Sequence, residues 1–292
     1  MTDRTDISFA AARVTIVSLA AVVLLVSPAR RAAAAPEERT TTTAVAARSE
    51  EQNQTQTDHE TKVLTLGPNG TLELKNISGD IVVTGGSGRE TRIEITRRSR
   101  GRTDDEARLG LQRVTVKVDQ QGDRATVATE YPRDERRTNY SVDVTFTVTA
   151  PARLRVNANS VSGTVRVENM KADVSANSVS GNVRVTGAGS VTEVRSISGN
   201  VTLSDVNGES ATLGTVSGDV TIDRVTARRI DGETTSGEVR ATGVSSDRAN
   251  LRSLSGSVVY SGAIARDGRY ELQSHSGNVS FEPTGSVGYE LN

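Results

Sequence analysis

The dipeptide Ser-Gly recurs along the chain, with its glycine at Gly79, Gly163, Gly181, Gly199, Gly218, Gly237, Gly256 and Gly277. From Gly163 onward the spacings are 18, 18, 19, 19, 19 and 21 residues. A period near twenty residues constrains the fold more than any other feature here. A unit that short cannot bury its own apolar face, so it must stack on its neighbours as a solenoid. At one place the repetition is almost verbatim: NSVSGTVRV at Asn159–Val167 returns as NSVSGNVRV at Asn177–Val185.

Counting from each glycine assigns the faces. Two residues on stand Ile81, Val165, Val183, Val201, Val220, Val239, Val258 and Val279; four on stand Val83, Val167, Val185, Leu203, Ile222, Ala241, Tyr260 and Phe281. Arg166, Arg184, Thr202, Thr221 and Arg240 fill the position between, which is the period-2 alternation of a strand with one face inward. Two residues before the glycine come Ile77, Val161, Val179, Ile197, Val216, Thr235, Leu254 and His275, and the same parity count puts them inward as well. A second inward set lies five and seven residues before the glycine, as in Ala158 with Val156 and Ala176 with Val174.

Each repeat therefore reads as one coil of two or three short strands. The fold class that follows is all-β: a single-stranded parallel β-solenoid, or β-helix, of about 19 residues per coil. Right-handed coiling is the expectation for parallel crossovers. Stacked at ~4.8 Å, the contiguous rungs from about Leu154 predict a rod roughly 30 Å long with like residues over like. The glycine supplies a positive φ or a close approach that a Cβ would obstruct. The serine before it is expected to bond to the backbone at that corner or to the next serine in the stack.

Outside the repeats the chain divides further. Residues 1–35 have the layout of a secretory signal peptide: Arg4 and Arg13, an apolar run from Val14 to Val26, then Pro28 and the small residues Ala32 to Ala35. The run is shorter than the roughly 20 residues of a membrane-spanning helix. Membrane attachment is expected only if that segment stays uncleaved as an anchor. Residues 36–60 are polar and rich in Thr and Gln, the composition of a disordered linker. Residues 61–85 read as two strands joined by a turn containing Asn69-Gly70, and they include the first rung.

Residues 86–151 interrupt the period as a β-rich insertion. Thr103 to Glu106 form a capping-box pattern opening a short helix to about Arg113. Strand patterns follow at VTVKVDQ, RATVATE and YSVDVTFTVTA. This module is expected to cover one end or side of the coil. Residues 152–292 carry the remaining repeats and a C-terminal cap.

The stretches GTLELKNISGDIVVTGG (Gly70–Gly86) and VTAPARLRVNANSVSG (Val148–Gly163), with the Ser-Gly-x-Val rungs after them, resemble a bacterial family of exported β-strand-repeat proteins, domain of unknown function 4097, which carries an adhesin label. The resemblance spans roughly residues 62 to 285. It implies an exported, β-helical protein without catalysis, located in the periplasm or at the cell surface.

Composition narrows the chemistry. The chain has no cysteine, which removes disulfides, thiolate metal sites and thiol nucleophiles. It has two histidines, His59 in the linker and His275 in the last rung, so zinc sites and Ser-His pairs are not expected, and no cofactor is. A net charge of -1 gives no polyelectrolyte attraction to nucleic acid. GGSGRE (Gly85–Glu90) lacks the Lys-Ser/Thr ending of a phosphate loop.

Four residues are candidate binding positions. Asp219 and Glu238 follow their glycines and would stack on adjacent rungs, close enough to bind a ligand or, in the enzymatic alternative, to cleave polysaccharide. Arg166 and Arg184 would stack like over like and favour an acidic glycan or phosphate. The leading expectation is a binding scaffold whose partner is an envelope or surface protein or glycan. Self-association through an open coil end is the other alternative.

Overall fold

A computed structural model of the chain describes residues 12–18, 54–67, 69–132, 139–285 and 288–291. Of the expected leader only Ala12–Ser18 (β1) is among them, as a strand parallel to Arg269–Ser274. The rest of the leader, and the linker up to residue 53, lie outside the described residues. Strand β2, Gln54–Thr65, begins within the stretch read as linker. Its composition hides it: most of its side chains are exposed or half-buried, and what holds it is the antiparallel ladder with β5, Glu90–Gly101.

Between them run β3 (Thr71–Ser78) and β4 (Ile81–Gly86), the first rung. The Asn69-Gly70 turn does not make a hairpin of β2 and β3. It is closed by Gly70 N–H donating to the Gly67 carbonyl at 2.9 Å, and β3 goes on to pair with strands from elsewhere in the chain.

The insertion then folds as β5, helix α1 (Asp104–Arg113), β6 (Thr115–Gln121), β7 (Arg124–Glu130) and β8 (Tyr140–Pro151). The capping box is formed: the Thr103 side chain accepts from Glu106 N–H while the Glu106 carboxylate reaches back to the Thr103 N–H. β7 lies parallel to β3 and β8 parallel to β4, so the insertion adds a further partial rung beneath the first. Beyond that rung the pairing turns antiparallel, β8 to β5 to β2 and β7 to β6. The module thus covers one end of the coil, converting a parallel stack that another chain could extend into an antiparallel edge crossed by a helix.

From Arg155 to Thr284 the chain coils through β9 (Arg155–Ser162), β10 (Val165–Glu168), β11 (Asp173–Ser180), β12 (Val183–Thr186), β13 (Ser190–Ser198), β14 (Val201–Ser217), β15 (Val220–Ser236), β16 (Val239–Ser255), β17 (Val258–Ser276) and β18 (Val279–Thr284), and the short β19 (Tyr289–Leu291) pairs with β1. The result is a parallel β-solenoid of about 19 residues per turn. Phe146, Ile81, Val165, Val183, Val201, Val220, Val239, Val258 and Val279 stack as Cα partners in one file. All but Val279 are buried.

Volumes compensate between rungs. Gly232 makes room for Leu251 above it, and the small Ala241 lies beneath Tyr260. At the far end Tyr260, Tyr270 and Phe281 form an aromatic cluster, with ring centroids 5.3 to 6.2 Å apart.

The parity count fails at one position, and the error is informative. Ile77, Val161, Val179, Ile197, Val216 and Leu254, two residues before each glycine, are 41 to 53 % exposed instead of inward. The residues one step earlier, Asn76, Ser160, Ser178, Ser196, Thr215, Thr234, Ser253 and Ser274, are buried. The cause is the glycine itself. Gly181 has φ of +152°, and a Cβ built there would sit 2.1 Å from the carbonyl oxygen of Gly163. The chain bends at this residue, so inside and outside exchange between the two strands that meet there.

Candidate binding groove

The corner carries three ladders, each of one chemical kind. The first is buried and polar. Ser178 Oγ donates to the Gly163 carbonyl at 3.1 Å, and Ser196, Thr215, Thr234, Ser253 and Ser274 repeat the bond to the glycine of the rung before, at 2.8 to 3.0 Å. The bonding hydroxyl therefore belongs to the residue three before the glycine, not to the serine beside it. At the first rung Asn76 takes over, its Nδ2 donating to the Gly79 and Val144 carbonyls. That leaves the buried Ser160 hydroxyl without a partner.

The second ladder follows the glycine, where one rung's short polar side chain accepts the next rung's backbone N–H. Asp80 Oδ1 accepts from Thr164 N at 2.8 Å, Asn182 Oδ1 from Asn200 N at 2.8 Å, Asn200 Oδ1 from Asp219 N at 2.9 Å, and Asp219 Oδ1 from Glu238 N at 2.9 Å. Asp219 and Glu238 are on adjacent rungs as the spacing predicts, but Asp219 is engaged by the Glu238 backbone and Glu238 by Arg240. Arg166 and Arg184 are Cα partners on adjacent rungs, and Arg166 lies 3.9 Å from Glu168. The structure brings each pair together and leaves the two pairs as separate features of the outer surface.

The third ladder is the exposed aliphatic file, which forms one side of a groove running along the coil. Its opposite wall is built by the residues four before each glycine: Lys75, Asn159, Asn177, Arg195, Gly214, Glu233, Arg252 and Gln273, stacked as Cα partners. The deeper part, from Ile77 to Val216, encloses about 750 Å³. The groove then continues past Thr235 and Leu254 to His275.

The wall is polar and partly paired. Asn177 Nδ2 donates to Asn159 Oδ1 at 3.2 Å, Arg252 pairs with Glu271 at 2.7 Å, and Lys75 pairs with Glu73 at 2.9 Å. The hydrogen bond from Lys75 holds the Glu73 carboxyl below the usual carboxylate range, with burial opposing. Sequence reading missed this groove because it placed its aliphatics in the core. The signal was present in a second form: those positions include Thr235 and His275, whereas the positions two after the glycine are aliphatic in every rung.

Among the described residues no group of three or more His, Asp and Glu is placed to hold a metal ion, and no helix is long and apolar enough to cross a membrane.

Coil and groove together define a β-solenoid repeat protein with one long apolar face along its corner. The chain belongs to the Toastrack DUF4097 family, whose model matches residues 69–292. No curated protein matches it in sequence. Among solved structures it is similar to a putative adhesin of Bacteroides fragilis, at 14% identity over 77% of this chain and 97% of that one, with a TM-score of 0.48. It is similar also to a putative adhesin of Parabacteroides distasonis, at 14% over 77% and 97% with a TM-score of 0.42. A third is a putative lipid binding protein of the same species, at 13% over 76% and 96% with a TM-score of 0.42.

Proposed function

We propose that this protein is an exported binding scaffold of the cell envelope, acting without turnover through the aliphatic groove at its corner. The observation that carries this reading is the file of six half-exposed aliphatics, five of them on consecutive rungs. Scattered exposed valines need no explanation, but a continuous apolar stripe on a rigid surface marks an interaction site. A solenoid suits that role because its faces are long and flat and its ligands are held by repeated contacts. Export is supported by the basic, apolar and small-residue order of residues 1–35.

A role without turnover is supported by the Asp219 carboxylate, whose bond to Glu238 N–H makes it a corner cap of the kind its neighbour Asn200 also makes. The test is binding of the full chain to envelope fractions of its native cell, compared with Val179→Asp, which puts a charge in mid-groove. Loss of binding in a variant that keeps its circular dichroism spectrum supports the reading. Undiminished binding overturns it, as would release of reducing ends from envelope glycans that stops in Asp219→Asn.

A further inference from the structure

Building on the groove reading, we infer that the groove's partner is a second copy of this chain, bound antiparallel across a two-fold axis. Two properties of the groove, its period and its charge order, point to this occupant.

The aliphatics recur once per rung, at ~4.8 Å, and a ligand that packs side chains between them must share that period. A β-strand laid along the groove repeats its facing side chains every ~6.6 Å, and an α-helix turns every ~5.4 Å, drifting half a rung out of step over five rungs. Another stack of the same rungs matches at every step. Facing files of identical aliphatics then interdigitate as the dry zippers of stacked sheets do.

A two-fold axis across the groove reverses the rung order of the second copy and faces each polar wall with the same wall. Numbering the rungs from Ile77, an axis between the third and fourth sets Val179 against Ile197 of the second copy and Val161 against its Val216. That one register exploits four of the five consecutive aliphatics, each pairing occurring twice by symmetry. On the wall it sets Lys75 against Glu233 of the second copy, again twice, and Asn177 against Arg195. Moving the axis half a rung, onto Ile197, sets Arg195 against itself and Lys75 against Arg252, which like-charge repulsion disfavours. Moving it the other way, onto Val179, sets Lys75 against Gly214 and forfeits the ion pair. Apolar overlap alone does not choose among the three, since each neighbouring axis pairs five aliphatics against four here; charge order selects this register.

Sedimentation equilibrium of the full chain tests this, from about 1 to 100 µM. The expected result is a reversible dimer whose dissociation constant rises at least tenfold in Val179→Asp, with the circular dichroism spectrum unchanged. Lys75→Glu and Glu233→Lys should each weaken the dimer, and the double exchange should restore it, because only the antiparallel register brings those two positions together. A monomer throughout the range overturns the inference, and a double exchange no tighter than the single variants overturns the register. If the wild-type chain is monomeric while Val179→Asp still abolishes envelope binding, the groove remains a binding surface and the second copy is excluded. If Val179→Asp changes neither, both readings fall.

Discussion

The flat of the coil and its glycine corner obey opposite rules. On the flat, Val165 and its partners are buried while Arg166 and Arg184 face water, the usual order of a sheet with one face in the core. At the corner, Ser178 is buried and the adjacent Val179 is 44 % exposed. The buried hydroxyls are tolerated because each has a fixed acceptor, the glycine carbonyl of the rung before, and a buried polar group with a partner costs little. The exposed aliphatics have no such internal justification. Half-exposed Val, Ile and Leu contribute little to folding, and it is their presence in one file that the proposed binding role accounts for.

The strongest way to break this contrast is to remove the bend that creates it. Gly181→Ala forces an L side chain into φ near +152° and onto the Gly163 carbonyl, where the obstructing atom is backbone and cannot move aside. The expected loss is at least about 3 kcal/mol, read from chemical denaturation.

Alkali should come next, acting on both ends of the rod. Burial, with Asp143 adding, pushes the Tyr131 phenol up to about 12, and burial raises Tyr260 and Tyr270 in the same direction. An unfolded phenol ionises near ~10, so the folded state binds more protons above that pH and stability falls as pH rises. The contribution is intact below about pH 10 and lost as the pH climbs through about 12. The melting temperature should therefore drop across that window, and Tyr131→Phe should make the drop shallower.

The hydroxyl ladder offers a finer comparison between two serines that look alike. Ser178→Ala strips the donor from the Gly163 carbonyl and should cost about 1–2 kcal/mol. Ser160→Ala removes a hydroxyl that already lacks a partner, because Asn76 occupies the Gly79 carbonyl, and should be neutral to within about 0.5 kcal/mol. Equal losses at the two positions would mean the ladder is not what satisfies the corner.

Much of the fold was legible because a solenoid repeats its decisions. The file from Val165 to Val279 and the inward Ala158 and Ala176 could each be read from a fixed offset to glycine, with eight copies to average over. The capping box at Thr103 and the three strands after it were also local enough to read. What could not be read was the direction of a side chain beyond a bend. Period-2 counting holds while φ stays extended, and each glycine in the column has positive φ, so counting through it inverts the answer for Val161, Val179 and their file. The groove was hidden for that reason alone. The first half of β2, Gln54 to Glu60, was hidden for another: its pairing is made by backbone groups, and TQTDHET carries no apolar alternation. The proposed residues Asp219 and Glu238 were located correctly in space, while the bond from the Glu238 N–H to the Asp219 carboxylate depends on backbone geometry that spacing does not reveal.

Smaller effects on stability separate the outer ladders from the inner one. Val179→Ser should leave the unfolding free energy within about 0.5 kcal/mol, since the side chain is already half in water, whereas Val165→Ser, on the flat, should cost about 3 kcal/mol by opening a void and burying an unpaired hydroxyl. Differential denaturation of the two variants measures the contrast directly, and similar losses would return Val179 to the core.

The smallest change is expected at Asp219→Asn. Asn182 and Asn200 already perform the same bond with an amide oxygen at 2.8 to 2.9 Å, so the corner has a working precedent for the substitution on the two rungs before it. Stability should stay within about 0.5 kcal/mol of wild type. Asp219→Ala, by contrast, leaves the Glu238 N–H without its acceptor and should cost about 1 kcal/mol, softened by the exposure of the site. A larger penalty for Asn than for Ala would show that the negative charge, and not the hydrogen bond, is what position 219 supplies, and would reopen the case for a cation or a sugar at that face.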